Sequence, residues 1–151
     1  MLRRAYERAK LRASRRKVAR RREQISPHLN LTEFHCHDGT EVPRICEPAV
    51  RRLAREVIEP LRKRFGPVTV MSGYRTRRYN NSISGAASNS QHIYDEHPES
   101  CAADLIFEKG SPRSWAGMAD GLLEGRGGIG IYSSQGFVHV DSRREMARWA
   151  G

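Results

Sequence analysis

The sequence predicts an α+β domain: a small antiparallel sheet with flanking helices, preceded by a basic helix. Three observations predict it. Apolar residues recur at three and four over Glu47–Phe65 and again after Pro112, the spacing of a single buried helix face. Four short runs read as strands: Val68–Met71, Ala102–Phe107, Ile129–Tyr132 and Phe137–Asp141. Helical and strand patterns are segregated along the chain, and the last two strands are separated only by Ser133–Gly136, a hairpin length.

At 151 residues the chain suits one domain large enough to bury a core. Its charge is uneven. Residues 1–24 hold eleven Lys and Arg against Glu7 and Glu23, so they carry +9 of the net +10, and the remainder is almost neutral. This divides the chain into a basic helical arm, residues 1–24, and a domain, residues 25–151. The arm has no Gly or Pro and is rich in Ala, Arg and Lys, all strong helix formers. Its apolar stripe is too thin to dock, so it is expected to be a solvated helix. Such a helix serves either as a solubilising tail or as an electrostatic contact to an anionic wall polymer, lipid or nucleic acid. Only Tyr6 interrupts the charge, which gives no support to base stacking.

Cys36, Cys46 and Cys101 are odd in number and form no CxxC pair, which argues against a disulfide framework. No run reaches the roughly 18 apolar residues of a membrane span. The basic N-terminus lacks the apolar stretch of a signal peptide. Cytoplasmic synthesis is therefore expected, and action outside the cell would need a route other than general secretion.

The elements follow in order. Residues 25–46, punctuated by Pro27, Gly39 and Pro43, are expected to be mostly loop. His35, Cys36, His37 and Asp38 are adjacent ligand types, but only His35 and His37 share a face of an extended segment. A supporting role suits them better than a separate metal site. In Glu47–Phe65 the buried face is Val50, Leu53, Ala54, Val57, Leu61 and Phe65. Pro48 fits the first turn, Pro60 should divide or kink the helix near Ile58, and Gly66-Pro67 ends it. Ser111 caps a helix running to about Glu124, with Trp115, Met118, Ala119, Leu122 and Leu123 facing the core. Gly125, Gly127 and Gly128 allow tight turns after it. A short terminal helix holding Met146 and Trp149 is expected to pack back on the sheet.

The chemistry concentrates in Ser72–Asp104 and Gly127–Asp141. Period two in Phe137-Val-His-Val-Asp141 puts Phe137, His139 and Asp141 on one face. Asp104 enters an apolar strand, a costly place for a carboxylate unless it is paired or holds a cation. His92 follows Ser88-Asn-Ser-Gln91, a polar loop able to orient an imidazole from its other nitrogen. His92, Asp104 and His139 offer two nitrogens and one oxygen, and three such ligands with an open position describe a catalytic zinc site.

SGYRTRRYNNSISGAASNSQH, AADL, GGIGIY and GFVHVD followed by RW occur in that order, preceded by EFHCHDGTEVP and the divided helix. Together they resemble the zinc D-Ala-D-Ala carboxypeptidase and murein endopeptidase family, whose fold and metal site are shared with the hedgehog signalling domain. The likeness covers about residues 30–150. It implies a hedgehog/D-Ala-D-Ala-peptidase fold, one Zn2+ per chain held by His92, Asp104 and His139, and Arg75 as the donor to a substrate carboxylate or carbonyl. Asp141 is the candidate for general base, or else for a group that orients a ligand. The positions where relatives place a base are here Phe137 and Gly136, which transfer no proton.

The family separates its first His and Asp by six residues, whereas eleven lie between His92 and Asp104. His97 has the family spacing. The SNSQH context nonetheless favours His92, with IYDEHPES as an insertion. The resemblance implies a peptidoglycan stem-peptide or cross-link substrate, and cytoplasmic synthesis with phage-type release or virion delivery to the cell wall. Two other readings stand beside it. One is a non-catalytic cell-wall or polyanion-binding module that keeps the fold; the other is a nucleic-acid-binding arm on an inert domain.

Overall fold

The computed structural model describes the backbone of residues 2–151, and the side chains of all of these except 2–6, 9 and 19–22. The basic arm forms α1 (Leu2–Glu23). Leu11 and Val18 are both more than half exposed, as expected of a stripe too thin to dock. No helix among the described residues is long and apolar enough to cross a membrane.

Among the described residues burial begins at Ile25, which is fully buried. Glu59 holds this entry turn by accepting from Ser26 Oγ (2.6 Å) and His28 N (2.9 Å) while facing His28 Nδ1 at 2.9 Å. Burial pushes the Glu59 pKa up, but these donors outweigh it and leave the carboxyl below its ordinary value. A carboxylate with a lowered folded pKa contributes stability above the unfolded value, about 4.3, and loses it as pH falls through the folded value. Glu59→Gln is therefore expected to cost roughly 1–2 kcal/mol at pH 7. The gap to wild type should close as urea melts are repeated below about pH 4. A gap that stays constant down to pH 3 would remove the charge as its cause.

The predicted long helix is divided. α2 (Glu47–Leu53) and α3 (Glu59–Phe65) are joined by a π-helical turn, Ala54–Ile58. Pro60 has no N–H to give to the carbonyl four residues back, and its ring would collide with that carbonyl. The wider turn before it relieves both problems and leaves Pro60 in the first turn of α3, where no donor is needed. Val50, Leu53, Ala54, Val57 and Leu61 are buried, as their spacing predicts.

Five strands form one sheet in the order β1-β2-β4-β3-β5: β1 (Val68–Ser72), β2 (Ala102–Phe107), β3 (Gly128–Tyr132), β4 (Phe137–Asp141) and β5 (Ala147–Ala150). The first three pairings are antiparallel. The β3–β5 pairing at the edge is parallel. Ala103, Leu105, Phe107, Ile129, Val138 and Val140 point to the buried core shared with the divided helix and α5 (Pro112–Leu123). Ser111 caps α5 by accepting from Ser114 N.

The expected terminal helix is absent. Ala147–Ala150 is a strand, and Met146 is exposed rather than packed on the sheet. The open edge of β3 offers unpaired backbone groups, and pairing with them outweighs the helix propensity of Ala, Arg and Met. A short helix that the sequence pattern does not announce, α4 (Arg77–Ser82), starts at Thr76, whose side chain accepts from Tyr79 N.

Candidate metal centre and active site

One rung of the sheet crosses all five strands on the face away from the core. Ser72 lies opposite Asp104, Asp104 opposite His139, His139 opposite Gly130, and Gly130 opposite Trp149. Strict alternation in β2 and β4 puts Asp104 and His139 side by side, while their neighbours Leu105, Val138 and Val140 fill the core.

His92 reaches this rung from the segment between β1 and β2. Its Nδ1 lies 2.6 Å from the Gly73 carbonyl, and its own carbonyl accepts from Arg75 N at 2.8 Å. Gly73 must be glycine here, because a Cβ would stand 2.7 Å from Phe34 Cα and 2.8 Å from the Phe34 carbonyl oxygen. The five extra residues expected between His92 and Asp104 are well anchored: Ile93 and Tyr94 are fully buried, and Tyr94 Oη donates to Ala102 O at 2.5 Å. Arg77 pairs with Glu96 and donates to Ser88 O.

Three donor atoms converge. His139 Nδ1 is 2.9 Å from Asp104 Oδ1, His92 Nε2 is 3.3 Å from the same oxygen, and the two ring nitrogens are 3.2 Å apart. All three residues are buried, and their ligand atoms lie within 4.8 Å of one another. The outer nitrogens fix the tautomers. A carbonyl only accepts, so His92 Nδ1 carries a proton toward Gly73 O, and His139 Nε2 carries one toward Asp141 Oδ2 at 3.0 Å. The facing nitrogens are then both lone pairs, set against a carboxylate oxygen. Three lone pairs at this separation repel unless a cation sits among them. Bonds of about 2.0–2.1 Å to a tetrahedral zinc place the ligand atoms about 3.3 Å apart, so the observed spacing fits such an ion.

The electrostatics agree. Burial pushes the His92 pKa down, favouring the neutral ring that ligates. Burial would raise that of Asp104, but His92 and His139 hold it far below the usual carboxylate range. Burial likewise opposes charge on His139, yet the Asp104 and Asp141 carboxylates on either side of the ring keep its pKa raised. The pocket between these groups attracts positive charge, whether a proton or a metal.

Asp141 is fully buried behind His139. Its Oδ1 accepts from Gly128 N (2.9 Å), Arg143 N (3.1 Å) and Arg143 Nε (2.8 Å), and its Oδ2 from Arg143 Nη2 (2.6 Å). Arg75 lies on the other flank, donating from Nε to Ser72 Oγ (3.0 Å) and from Nη2 to Asp104 Oδ2 (2.9 Å). His97 stands apart from the cluster, at a groove it shares with Arg52, Gln91 and Ser100. His37 instead contacts Tyr79 Oη at 3.3 Å, and neither it nor His35 joins a group of metal-ligating residues among the described ones.

The model of the peptidase M15 family matches residues 27–141, the stretch that holds this whole cluster. The chain belongs to the peptidase M15 family. The fold class and the likeness expected from the motifs are thereby established, and with them a metallopeptidase of a zinc D-Ala-D-Ala carboxypeptidase-like family. Neither a curated protein nor a solved structure matches the chain. In this M15 peptidase the matched segment leaves out α1 and stops at Asp141.

Two residues beyond that point touch the site, although the sequence pattern placed neither of them in it. Arg143 clamps Asp141, and the Trp149 ring lies 5.1 Å from the His139 ring. The only signals for them were that Arg143 stands two positions after Asp141 and that Trp149 sits in the RW pair.

Proposed function

We propose that this M15 peptidase hydrolyses a peptide bond in the stem peptides or cross-links of peptidoglycan, as a carboxypeptidase or endopeptidase, with one Zn2+ held by His92, Asp104 and His139. The observation that carries this reading is the convergence of three buried ligand atoms, with the outer nitrogen of each imidazole held from behind by an acceptor. When bound there, zinc supplies a Lewis acid and a water of pKa near 7.

The chain's own residues do the remaining work. Gly73 O and Asp141 hold the two imidazoles so that His92 Nε2 and His139 Nδ1 face inward. Asp141 has no surface from which to exchange a proton with substrate, which supports its orienting role over that of general base. Arg75 spends Nε and Nη2 on Ser72 and Asp104, so it steadies the ligand Asp104. Its Nη1, with no hydrogen bond among the described residues, is left to meet a substrate carboxylate or carbonyl.

In this reading residues 1–24 form an arm, outside the peptidase domain of residues 25–151, that associates with anionic wall polymer, lipid or nucleic acid. Synthesis in the cytoplasm with phage-type release to the wall fits that arrangement. The test is incubation of the purified protein with peptidoglycan sacculi, with chelator and after zinc is restored, with mass spectrometry of the released ends. Zinc-dependent new amine and carboxyl termini are expected and would name the bond. Zinc binding without release from several wall types would instead support a non-catalytic wall-binding module, a reading favoured by the burial of Asp141.

A further inference from the structure

We propose that residues 142–151, which lie beyond the family match, are a working part of the site: Arg143 and Trp149 are positioning residues that hold the His139 imidazole. The proposal rests on the reading of His139 as a metal ligand.

The contacts close a circuit. His139 Nε2 meets Asp141 Oδ2, and Asp141 takes two parallel bonds from the Arg143 guanidinium. The Arg143 Cζ lies 5.7 Å from the centre of the Trp149 ring, and that ring lies against His139 at 5.1 Å and 48°. With both Asp141 oxygens engaged by Arg143 and Oδ1 also by Gly128 N, Asp141 can neither turn nor trade His139 for another donor.

Trp149 reaches His139 only because the strand between them carries no side chain at that rung. A Cβ on Gly130 would stand 2.5 Å from Cε2 and Nε1 of the indole. Trp149 Nε1 donates to Tyr132 Oη at 2.9 Å, which fixes the ring about its own axis. Tyr132 is held in turn by stacking on Phe137 at 4.3 Å and 11°.

The composition of β5 separates this role from plain packing. On the face toward the core it presents Arg148 and Ala150, and Arg148 pairs with Asp120. Its one large ring faces the site. A strand kept for the core would carry apolar bulk on the opposite face.

The test uses Co2+ as the probe on the full chain. Titration of the wild type should quench tryptophan emission, and the quenching should fall away in Trp149→Phe, since Trp115 packs in the core against Phe107. Trp149→Ala and Arg143→Ala are expected to weaken Co2+ binding about 10–100-fold, the usual cost of losing a ligand-orienting partner, with far-UV circular dichroism preserved. Trp149→Phe, which keeps a ring against His139, should recover most of the affinity. Arg143→Lys should not, because an ammonium cannot make two parallel bonds to Asp141. If either alanine variant fails to fold, Trp149→Phe and Arg143→Lys decide the matter. Wild-type affinity in Arg143→Lys, or in folded Trp149→Ala, overturns the proposal while leaving the metal reading intact. No Co2+ uptake by the wild type overturns the metal reading itself and the proposal with it.

Discussion

Replacing His92 with alanine is expected to remove zinc and peptidoglycan release together, whereas His97→Ala keeps both. His92 supplies one of three converging donor atoms, at 3.2 and 3.3 Å from the other two, while His97 lies off the cluster. Loss of a group that merely orients a ligand costs up to about 100-fold in affinity or activity, so loss of a ligand should cost at least that much. Metal content by mass spectrometry of the purified variants, read beside release from sacculi, checks it. Zinc retained by His92→Ala but lost by His97→Ala would move the site into the 95–98 loop and break the assignment. The histidine with family spacing and the histidine in family context are different residues here, and this pair of variants separates them directly.

The structure brings His92 rather than His97 beside Asp104 and His139, and the residues around His92 pointed there better than the distance to Asp104 did. Period two did the same for β4, where Phe137, His139 and Asp141 had to share a face and do. The divided helix was readable from Pro60, since a missing donor and a ring clash have only a few structural remedies. What resisted reading depended on contacts between distant segments. Ala147–Ala150 has the composition of a helix, and only the free edge of β3 makes it a strand. The same composition put Trp149 on a terminal helix packed against the sheet. Its place beside His139 depends on Gly130, a residue whose importance lies in what it leaves out. Arg143 follows β4 in a loop, where no periodicity indicates that its guanidinium returns to Asp141. The burial of Asp141 was equally hidden. Nothing in the spacing of Phe137, His139 and Asp141 shows that the carboxylate is enclosed behind the imidazole.

That burial makes Asp141→Asn the most informative single substitution. The amide is nearly the same size and can still accept from Gly128 N and Arg143 through its oxygen. Its nitrogen, however, only donates, and it would face His139 Nε2, which now carries a proton toward Asp141 Oδ2. Two donors cannot share that contact, so His139 is expected to move its proton to Nδ1. Nδ1 is the atom that faces Asp104 and His92, and once protonated it cannot ligate. The expected result is a fall in zinc affinity of about 100-fold. Stability should fall as well, because Arg143 then faces a neutral partner where a buried carboxylate stood. Competition with a chelator measures the first effect, and nitrogen-15 shifts of the His139 ring report the tautomer itself. Unchanged affinity together with lost sacculus release would mean that Asp141 does transfer a proton despite its burial, and would restore it as the general base. Lost affinity with a switched tautomer would instead make Asp141 the group that prepares His139 to bind, and the proton acceptor would then have to be sought among substrate, solvent or a residue that approaches only when substrate is bound.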